Sequence, residues 1–127
     1  MGYESKVYIC NRHTYENGGV WNEVVASMNM GKMKHDFWEL FNTRLHGDFF
    51  GMDGAMSRFE QRDDEDEPKL IDNYGDYLTY APLKDVLKWC NEAMEQPAQY
   101  MYWRVAVLQK LLEELQGPNM IVVHYGY

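Results

Sequence analysis

Six carboxylates and one arginine occupy the eight consecutive positions from Glu60 to Glu67, in the stretch FEQRDDEDEPK. Such a run can bind a cation, contact a basic protein surface or remain solvated, and charge runs are usually solvated. A calcium loop of the EF-hand type needs acidic residues at alternate positions and a glycine at the sixth, and this run has neither. Two interpretations stay open, a solvated loop at about 60–69 and a contact for a basic partner.

A nuclease-type metal site can be fitted to Asp53, Glu67 and Lys69, but Pro68 argues against the strand that this motif requires. Contact with a basic partner is therefore the functional interpretation that the run favours. The residues predicted to make that contact are Glu60, Asp63, Asp64, Glu65, Asp66 and Glu67.

Cys10 and His13 have the spacing of half a zinc site. A structural zinc site normally shows two such halves, and the sequence has no second one. The residues that could complete the site are Cys90, His35, His46 and His124. Zinc is accordingly a secondary expectation. Because the sequence also lacks a GxSxG, HExxH, Walker or dinucleotide-binding motif, we expect a non-enzymatic protein that requires no cofactor.

The formal charge of −8 is concentrated in one segment. Residues 60–76 hold eight acidic and two basic side chains, whereas residues 1–59 hold seven acidic and six basic ones. Direct binding to nucleic acid is disfavoured, since contacts with phosphates need clustered Lys and Arg. A basic protein partner is favoured, because an acidic patch steers association through its field.

The length of 127 residues, with 46% apolar and 25% charged residues, predicts one globular domain over 1–127. No apolar run approaches the roughly 18 residues that a membrane-spanning helix needs. The N-terminal sequence MGYESKVYIC lacks the basic and apolar regions of a signal peptide. We therefore expect a cytoplasmic protein that does not bind a membrane, with both cysteines present as free thiols.

Alternating and three-to-four-residue apolar patterns divide the chain into strands and helices. A β-hairpin is predicted because Asn17, Gly18 and Gly19 supply turn residues between two strand-like segments. In its second strand, Val24, Ala26, Met28 and Met30 are expected to face the core. Strands are predicted at 5–10, 20–30, 48–52, within 72–80 and at 120–125, and helices at 36–45, 82–96 and 98–115. This order indicates an α+β fold, a mainly antiparallel sheet with about three helices packed on one face.

The predicted third helix has an apolar arc that covers about half of its circumference or more. One stripe comprises Met101, Val105, Leu108, Leu112 and Leu115, and the other comprises Tyr100, Trp103, Val107 and Leu111. Arg104 projects inside the arc. Wide arcs usually indicate burial, with Arg104 paired to a carboxylate such as Asp72 or Asp76. The alternative is a partner-binding patch that includes Tyr100, Trp103 and Arg104.

Four stretches spread over nearly the whole chain resemble a family of small proteins from bacteriophages and other mobile elements of Gram-positive bacteria. They are YESKVYIC, VWNEVVASMNMGKM, DNYGDYL and IVVHYGY. None is a catalytic signature, and the acidic run is longer than the resemblance leads us to expect. The resemblance implies a setting, because small acidic proteins of mobile elements often disable host defence machinery, including CRISPR effectors.

The expected function is therefore that of an anti-CRISPR-like inhibitor in the cytoplasm of the bacterial host cell. Its partner would be a basic, nucleic-acid-handling host protein, most specifically a Cas9-type nuclease, whose channel is positively charged. One alternative is a small zinc-binding or metal-dependent protein that uses Cys10 and His13. Another is a structural homo-oligomeric module that uses the arc of the third helix.

Overall fold

A computed structural model describes residues 4–45, 48–50, 60–64, 67–71, 77–96 and 102–126. Within 48–50, 60–64 and 67–71, and at position 102, only the backbone is described. The strands are β1 (Ser5–Thr14), β2 (Val20–Gly31), β3 (Thr43–Arg44), β4 (Asp48–Phe50), β5 (Glu60–Asp64), β6 (Glu67–Ile71), β7 (Thr79–Pro82) and β8 (Met120–Gly126). The helices are α1 (His35–Trp38), α2 (Leu83–Met94) and α3 (Tyr102–Glu114).

The main sheet confirms the predicted α+β class. Its strand order is β3-β7-β8-β1-β2-β4, and every neighbouring pair is antiparallel except β2 with β4. The largest core cluster joins the three helices to one face of this sheet. Its fully buried members include Val7, Ile9, Met30, Phe37, Val86, Val105, Leu108, Leu112 and Val122. The helices therefore pack on one face, as the apolar patterns indicate.

The predicted β1–β2 hairpin is present, and its strands are longer than expected. The turn is closed by a hydrogen bond of 2.7 Å from the Tyr15 N–H to the Gly19 carbonyl and one of 3.0 Å from the Gly18 N–H to the Tyr15 carbonyl. Gly18 has a φ of 89°, a left-handed conformation that glycine adopts without steric cost. The turn chemistry of Asn17-Gly18-Gly19 thus sets the register of the two longest strands.

A register shift in β2 divides its predicted core residues between two faces. Ile9 pairs with Ala26 but Cys10 pairs with Val24, so Val25 is an extra residue, as in a β-bulge. Ala26 therefore packs on the helix-bearing face with Met28 and Met30, whereas Val24 belongs to the opposite face. The expectation of one shared core face is corrected for Val24, because one inserted residue inverts the alternation.

The helix predicted at 36–45 is corrected to the single turn of α1. Of the four residues in its expected apolar stripe, Phe37 and Phe41 join the helix-side cluster and Leu40 packs against it partly buried, while Leu45 lies in the cluster on the other face. The chain crosses the edge of the sheet between them, where the Leu45 N–H donates to the Leu78 carbonyl at 2.7 Å. A continuous helix could not place residues on both faces of the sheet.

The acidic segment predicted as a loop has strand backbone instead. β5 and β6 form a separate antiparallel pair in which Asp64 is opposite Glu67 and Arg62 is opposite Lys69. The register places a two-residue connection between the strands, a length typical of β-hairpins. The run of charge hid this, because a charged segment can still pair through its backbone.

Candidate functional site

A groove between α1 and α2 brings together acidic and aromatic residues that the sequence analysis did not single out. We call this the Trp89 groove and define it by Asp36, Glu39, Asp85, Trp89 and Glu92. Its larger part has a volume of about 400 Å³ and is lined by Glu39, Leu40, Asn42, Asp85, Lys88, Trp89 and Glu92. A smaller part of about 190 Å³ is lined by Asp36, Trp89, Glu92, Ala93 and Gln96.

The pattern of α2 explains how the groove is formed. Residues at i, i+4 and i+7 share one helix face, so Asp85, Trp89 and Glu92 lie in a row. The adjoining face is buried, through Leu83, Val86, Cys90 and Ala93, with Trp89 at the boundary between the two. Burial of that face in the core fixes the acidic row toward α1.

Phe37 positions the α1 side of the groove. Its ring is fully buried and meets the Trp89 ring edge to face, with the ring centroids 5.0 Å apart. The indole N–H of Trp89 donates to Asp36 Oδ2 at 3.3 Å. The contact between these two aromatic rings therefore holds the Asp36 carboxylate beside the acidic row of α2.

The groove has a strong excess of negative charge. Four carboxylates define it, and Lys88 is the one basic side chain among its lining residues. Glu39 lies 2.9 Å from the ring nitrogen of His35, but Asp85 and Glu92 form no ion pair within the part of the chain that the structure describes. Carboxylates beside a tryptophan can bind a guanidinium or ammonium group. The carboxylates attract the cation by charge, and the face of the indole ring attracts it through its quadrupole.

The predicted partner-binding residues of α3 are partly accessible. Trp103 is 60% exposed and Val107 is 50% exposed, whereas Val105, Leu108 and Leu112 are fully buried. The arc is therefore only partly exposed, since one stripe packs on the sheet and, in the other, Leu111 packs against the core while Trp103 and Val107 face outward. Tyr100 lies outside the described residues.

Arg104 makes its contacts with backbone and an aromatic ring. Its Nη1 donates to the Asn29 carbonyl at 2.6 Å, and its guanidinium lies 4.6 Å from the centre of the Trp103 ring. Its Nε is buried with no acceptor among the described residues. The predicted carboxylate partners Asp72 and Asp76 lie outside those residues.

The acidic run contributes backbone positions only. Glu60, Asp63 and Asp64 lie on β5 and Glu67 on β6, while Glu65 and Asp66 are outside the described residues. Like charges at directly opposed positions destabilise a hairpin, and the register opposes Asp64 to Glu67. Binding of a cationic partner at this end would offset that repulsion.

The structure does not bring Cys10 and His13 together. Three residues apart on β1, they alternate onto opposite faces of the sheet. The Cys10 thiol is fully buried, and burial raises its pKa far above the ordinary value. His13 instead lies 3.1 Å from Glu23 and stacks on Trp21 at 4.0 Å between ring centres.

The residues proposed to complete a zinc site are also dispersed. Cys90 is buried in the helix-side core, where burial raises the pKa of its thiol to about 12. His35 pairs with Glu39, and His124 is bonded to Ser5 at 2.8 Å. No group of three or more metal-ligating side chains occurs among the residues that the structure describes, and His46 is not among them.

Comparisons with family models, curated protein sequences and solved structures find no match to this chain. Within the described ranges, no helix has both the length and the apolar character needed to cross a membrane.

Sequence reasoning missed the Trp89 groove because its two walls meet only through packing, with Asp36 and Trp89 53 positions apart in the chain. One signal was present, the acidic row at Asp85 and Glu92 with Trp89 between them. The facing wall could not be found in this way, because the sequence predicts a longer helix than the single turn of α1.

Proposed function

We propose that this chain is a non-enzymatic binding protein whose acidic surface inhibits a basic, nucleic-acid-handling protein. The observation that carries the proposal is the Trp89 groove. There, Asp85 and Glu92 lie beside the partly exposed indole of Trp89, and neither carboxylate forms an ion pair with a described residue. An arginine or lysine side chain of a partner would meet both carboxylate and aromatic surface there. Charge-assisted hydrogen bonds of this kind are the strong ones in protein recognition.

The acidic run supports the same partner chemistry from a second part of the chain. Residues 60–76 supply a net charge of −6, which would steer a basic partner over long range at low salt. The groove then supplies defined contacts. We assign attraction to the acidic run and specificity to the groove.

The setting of this function follows from the resemblance to small proteins of phages and other mobile elements. Such a protein would act in the cytoplasm of a bacterial host, and a Cas9-type nuclease is the most specific candidate partner. The positively charged channel that holds the guide–target duplex of such a nuclease offers clustered arginines to an acidic ligand.

The proposal is tested by retention of tagged protein on a panel of purified basic nucleases, a Cas9-type nuclease included, at low and at moderate salt. We expect one panel member to be retained at both salt concentrations, and its cleavage activity to fall when the chain is present. Retention of every member at low salt and of none at moderate salt would show that the acidic run binds basic proteins only through non-specific charge, which would contradict specific inhibition. Failure to retain any member at low salt would contradict the proposal.

Neutralisation of the acidic run separates its role from that of the groove. The variant carries Asp63→Asn, Asp64→Asn, Asp66→Asn and Glu67→Gln. We expect its binding to the retained nuclease to weaken at low salt and to change little at high salt, because long-range attraction between exposed charges is screened. The measurement is the association rate at several ionic strengths. An unchanged rate at every ionic strength would remove the steering role.

A further inference from the structure

The outer edge of β2 is open over most of its length in the described part of the chain. β1 pairs with one edge of β2 along its full length, but β4 covers the other edge only at Trp21, Asn22 and Glu23. The following residues, Val24–Met30, have no strand beside them among the described residues. An edge of this kind presents unpaired N–H and C=O groups that fit another extended strand.

The side-chain contact of Arg104 shows which backbone groups face outward. Its Nη1 donates to the Asn29 carbonyl, so the peptide groups of Asn29 point away from β1. Because the direction alternates along a strand, those of Ser27 point outward as well. Asn29 is exposed and Ser27 is half-buried. The backbone N–H and C=O of Ser27 thus face outward at the middle of the edge. Two residues further on, the Asn29 carbonyl already accepts from Arg104.

Natural edges are usually protected by charge, and here Arg104 protects only the end of the edge at Asn29. Residues 24–30 read VVASMNM and contain no ionisable side chain. Opposite charges stand at the two ends of the stretch, with Glu23 before it and Arg104 beside Gly31 after it. The Arg104 guanidinium carbon is 3.7 Å from where a Cβ at Gly31 would lie.

We propose that the β2 edge pairs with the β2 edge of a second copy of this chain, antiparallel about a two-fold axis at Ser27. Ser27 then faces its own counterpart, and Val25 of one copy faces Asn29 of the other. The two main sheets become one continuous sheet. The paired stretch ends at Gly31, whose φ of 68° departs from the extended conformation of a strand.

Charge complementarity favours a second copy over an unrelated strand. The antiparallel arrangement puts the acidic end of one edge, at Glu23, next to the basic end of the other, at Gly31 and Arg104. Both side chains lie on the helix-bearing face, since Glu23 is opposite Asn11 in the register and α3 packs on that face. Each dimer therefore gains this opposite-charge contact twice, and no like charges meet along residues 24–30.

Pairing leaves the contact between Arg104 and the Asn29 carbonyl in place. Val25 is the extra residue of the bulge, so its N–H points toward β1 and only its carbonyl faces outward, where it can accept from the N–H of Asn29 in the second copy. The Arg104 guanidinium, held beside Gly31, then lies next to Glu23 of that copy. Trp103, on which the guanidinium stacks, flanks the junction.

The test is the mass of the chain in solution over a concentration series, measured by sedimentation equilibrium. We expect the wild type to pass from 15.1 kDa to about 30 kDa as its concentration rises. Glu23→Lys and Arg104→Glu should each weaken dimerisation by about tenfold or more, because like charges then meet at both ends. The double variant Glu23→Lys/Arg104→Glu should recover most of the wild-type dimer.

Two controls keep the test decisive. His13→Gln removes the internal partner of Glu23, which lies 3.1 Å away, and should leave the dimer intact. Ser27→Cys should form a disulfide-linked dimer on mild oxidation, since paired positions on antiparallel strands lie within disulfide reach. Lys84→Cys on exposed α2 should not, and the two native thiols are buried.

A chain that stays at 15.1 kDa at every concentration would overturn the proposal and leave the edge to a strand of another protein. A dimer that none of the charge variants weakens, and that Ser27→Cys does not cross-link, would place the interface elsewhere and overturn it equally. If Arg104→Glu does not fold, the Ser27→Cys cross-link decides whether the β2 edges pair: a disulfide-linked dimer supports the proposal, and its absence overturns it.

Discussion

Replacing Phe37 by alanine is expected to lower the free energy of unfolding by about 3–5 kcal/mol, the usual cost of removing a buried aromatic ring. Phe37 is fully buried, and its ring centroid lies 5.2 Å from that of Phe41, 5.0 Å from that of Trp89 and 6.3 Å from that of His124. These neighbours belong to α2, β8 and the segment after α1. The resulting cavity has walls from several elements, so it cannot close by the movement of one side chain.

Chemical denaturation of wild type and Phe37→Ala measures this loss directly. Val107→Ala on α3 is the matched control, because Val107 is half exposed and its truncation should cost less than about 1 kcal/mol. A similar small loss for Phe37→Ala would mean that α1 does not anchor the helix layer. The Phe37→Ala variant should also lose the shape of the Trp89 groove, because the Phe37 ring packs against the Trp89 indole.

Acidification is expected to destabilise the protein through His124. This side chain is 7% exposed, and burial lowers its pKa from 6.5 to about 4. The unfolded chain therefore binds a proton more readily than the folded one does between those values. Well above pH 6.5 His124 is neutral in both states, so the pH has no effect on stability through this group. As the pH falls from 6.5 to 4 the free energy of unfolding should decrease, by about 3 kcal/mol at the lower end.

The hydrogen bonds around His124 act in the same direction. Ser5 Oγ accepts from the Trp38 indole N–H at 2.9 Å and lies 2.8 Å from His124 Nε2. A serine hydroxyl in this position can donate to a neutral imidazole nitrogen, and protonation of that nitrogen removes its ability to accept. Charge on His124 therefore has to be accommodated in a buried site among aromatic rings.

The variant His124→Gln isolates this effect from the titration of the carboxylates and of the exposed histidines. Its amide can still bond to Ser5, but it does not ionise. We expect the difference in unfolding free energy between wild type and variant to be constant above pH 6.5 and to change by about 3 kcal/mol toward pH 4. Parallel stability curves over the whole range would show that His124 titrates alike in both states.

Local chemistry was enough to predict several elements. Pro82 precedes α2 and cannot donate a backbone hydrogen bond, and the stripe of Leu83, Val86 and Cys90 gives that helix one buried face. The glycines after Asn17 specify the β1–β2 turn, and the apolar run from Met120 predicts β8. In each case neighbouring residues determine the element.

Features set by distant contacts were not predictable from one sequence. The register shift at Val25 depends on how β1 and β2 align, and it moves Val24 to the other face. Leu45 leaves the expected helix because the chain crosses the sheet edge to pair with β7. The Trp89 groove depends on Phe37 meeting a ring that lies 52 positions later, which no local pattern contains.

The central claim is that the Trp89 groove binds a cationic side chain of a basic protein. The most direct measurement is calorimetric titration of three proteins with an arginine-rich peptide. They are the wild type, the groove variant Asp85→Asn/Glu92→Gln, and the α3 variant Glu113→Gln/Glu114→Gln, whose two substituted residues are exposed. Both variants lose two negative charges, and they differ in where the charge is removed and in the weak ion pair of Glu113 with Lys110, 3.9 Å apart.

We predict that the groove variant binds the peptide about tenfold more weakly than the wild type, from two lost charge pairs worth somewhat under 1 kcal/mol each. The α3 variant should bind as the wild type does. Equal loss in both variants would show that only the net charge matters, and no loss in either would show that the peptide binds elsewhere. Either of these two results would contradict the assignment of the groove.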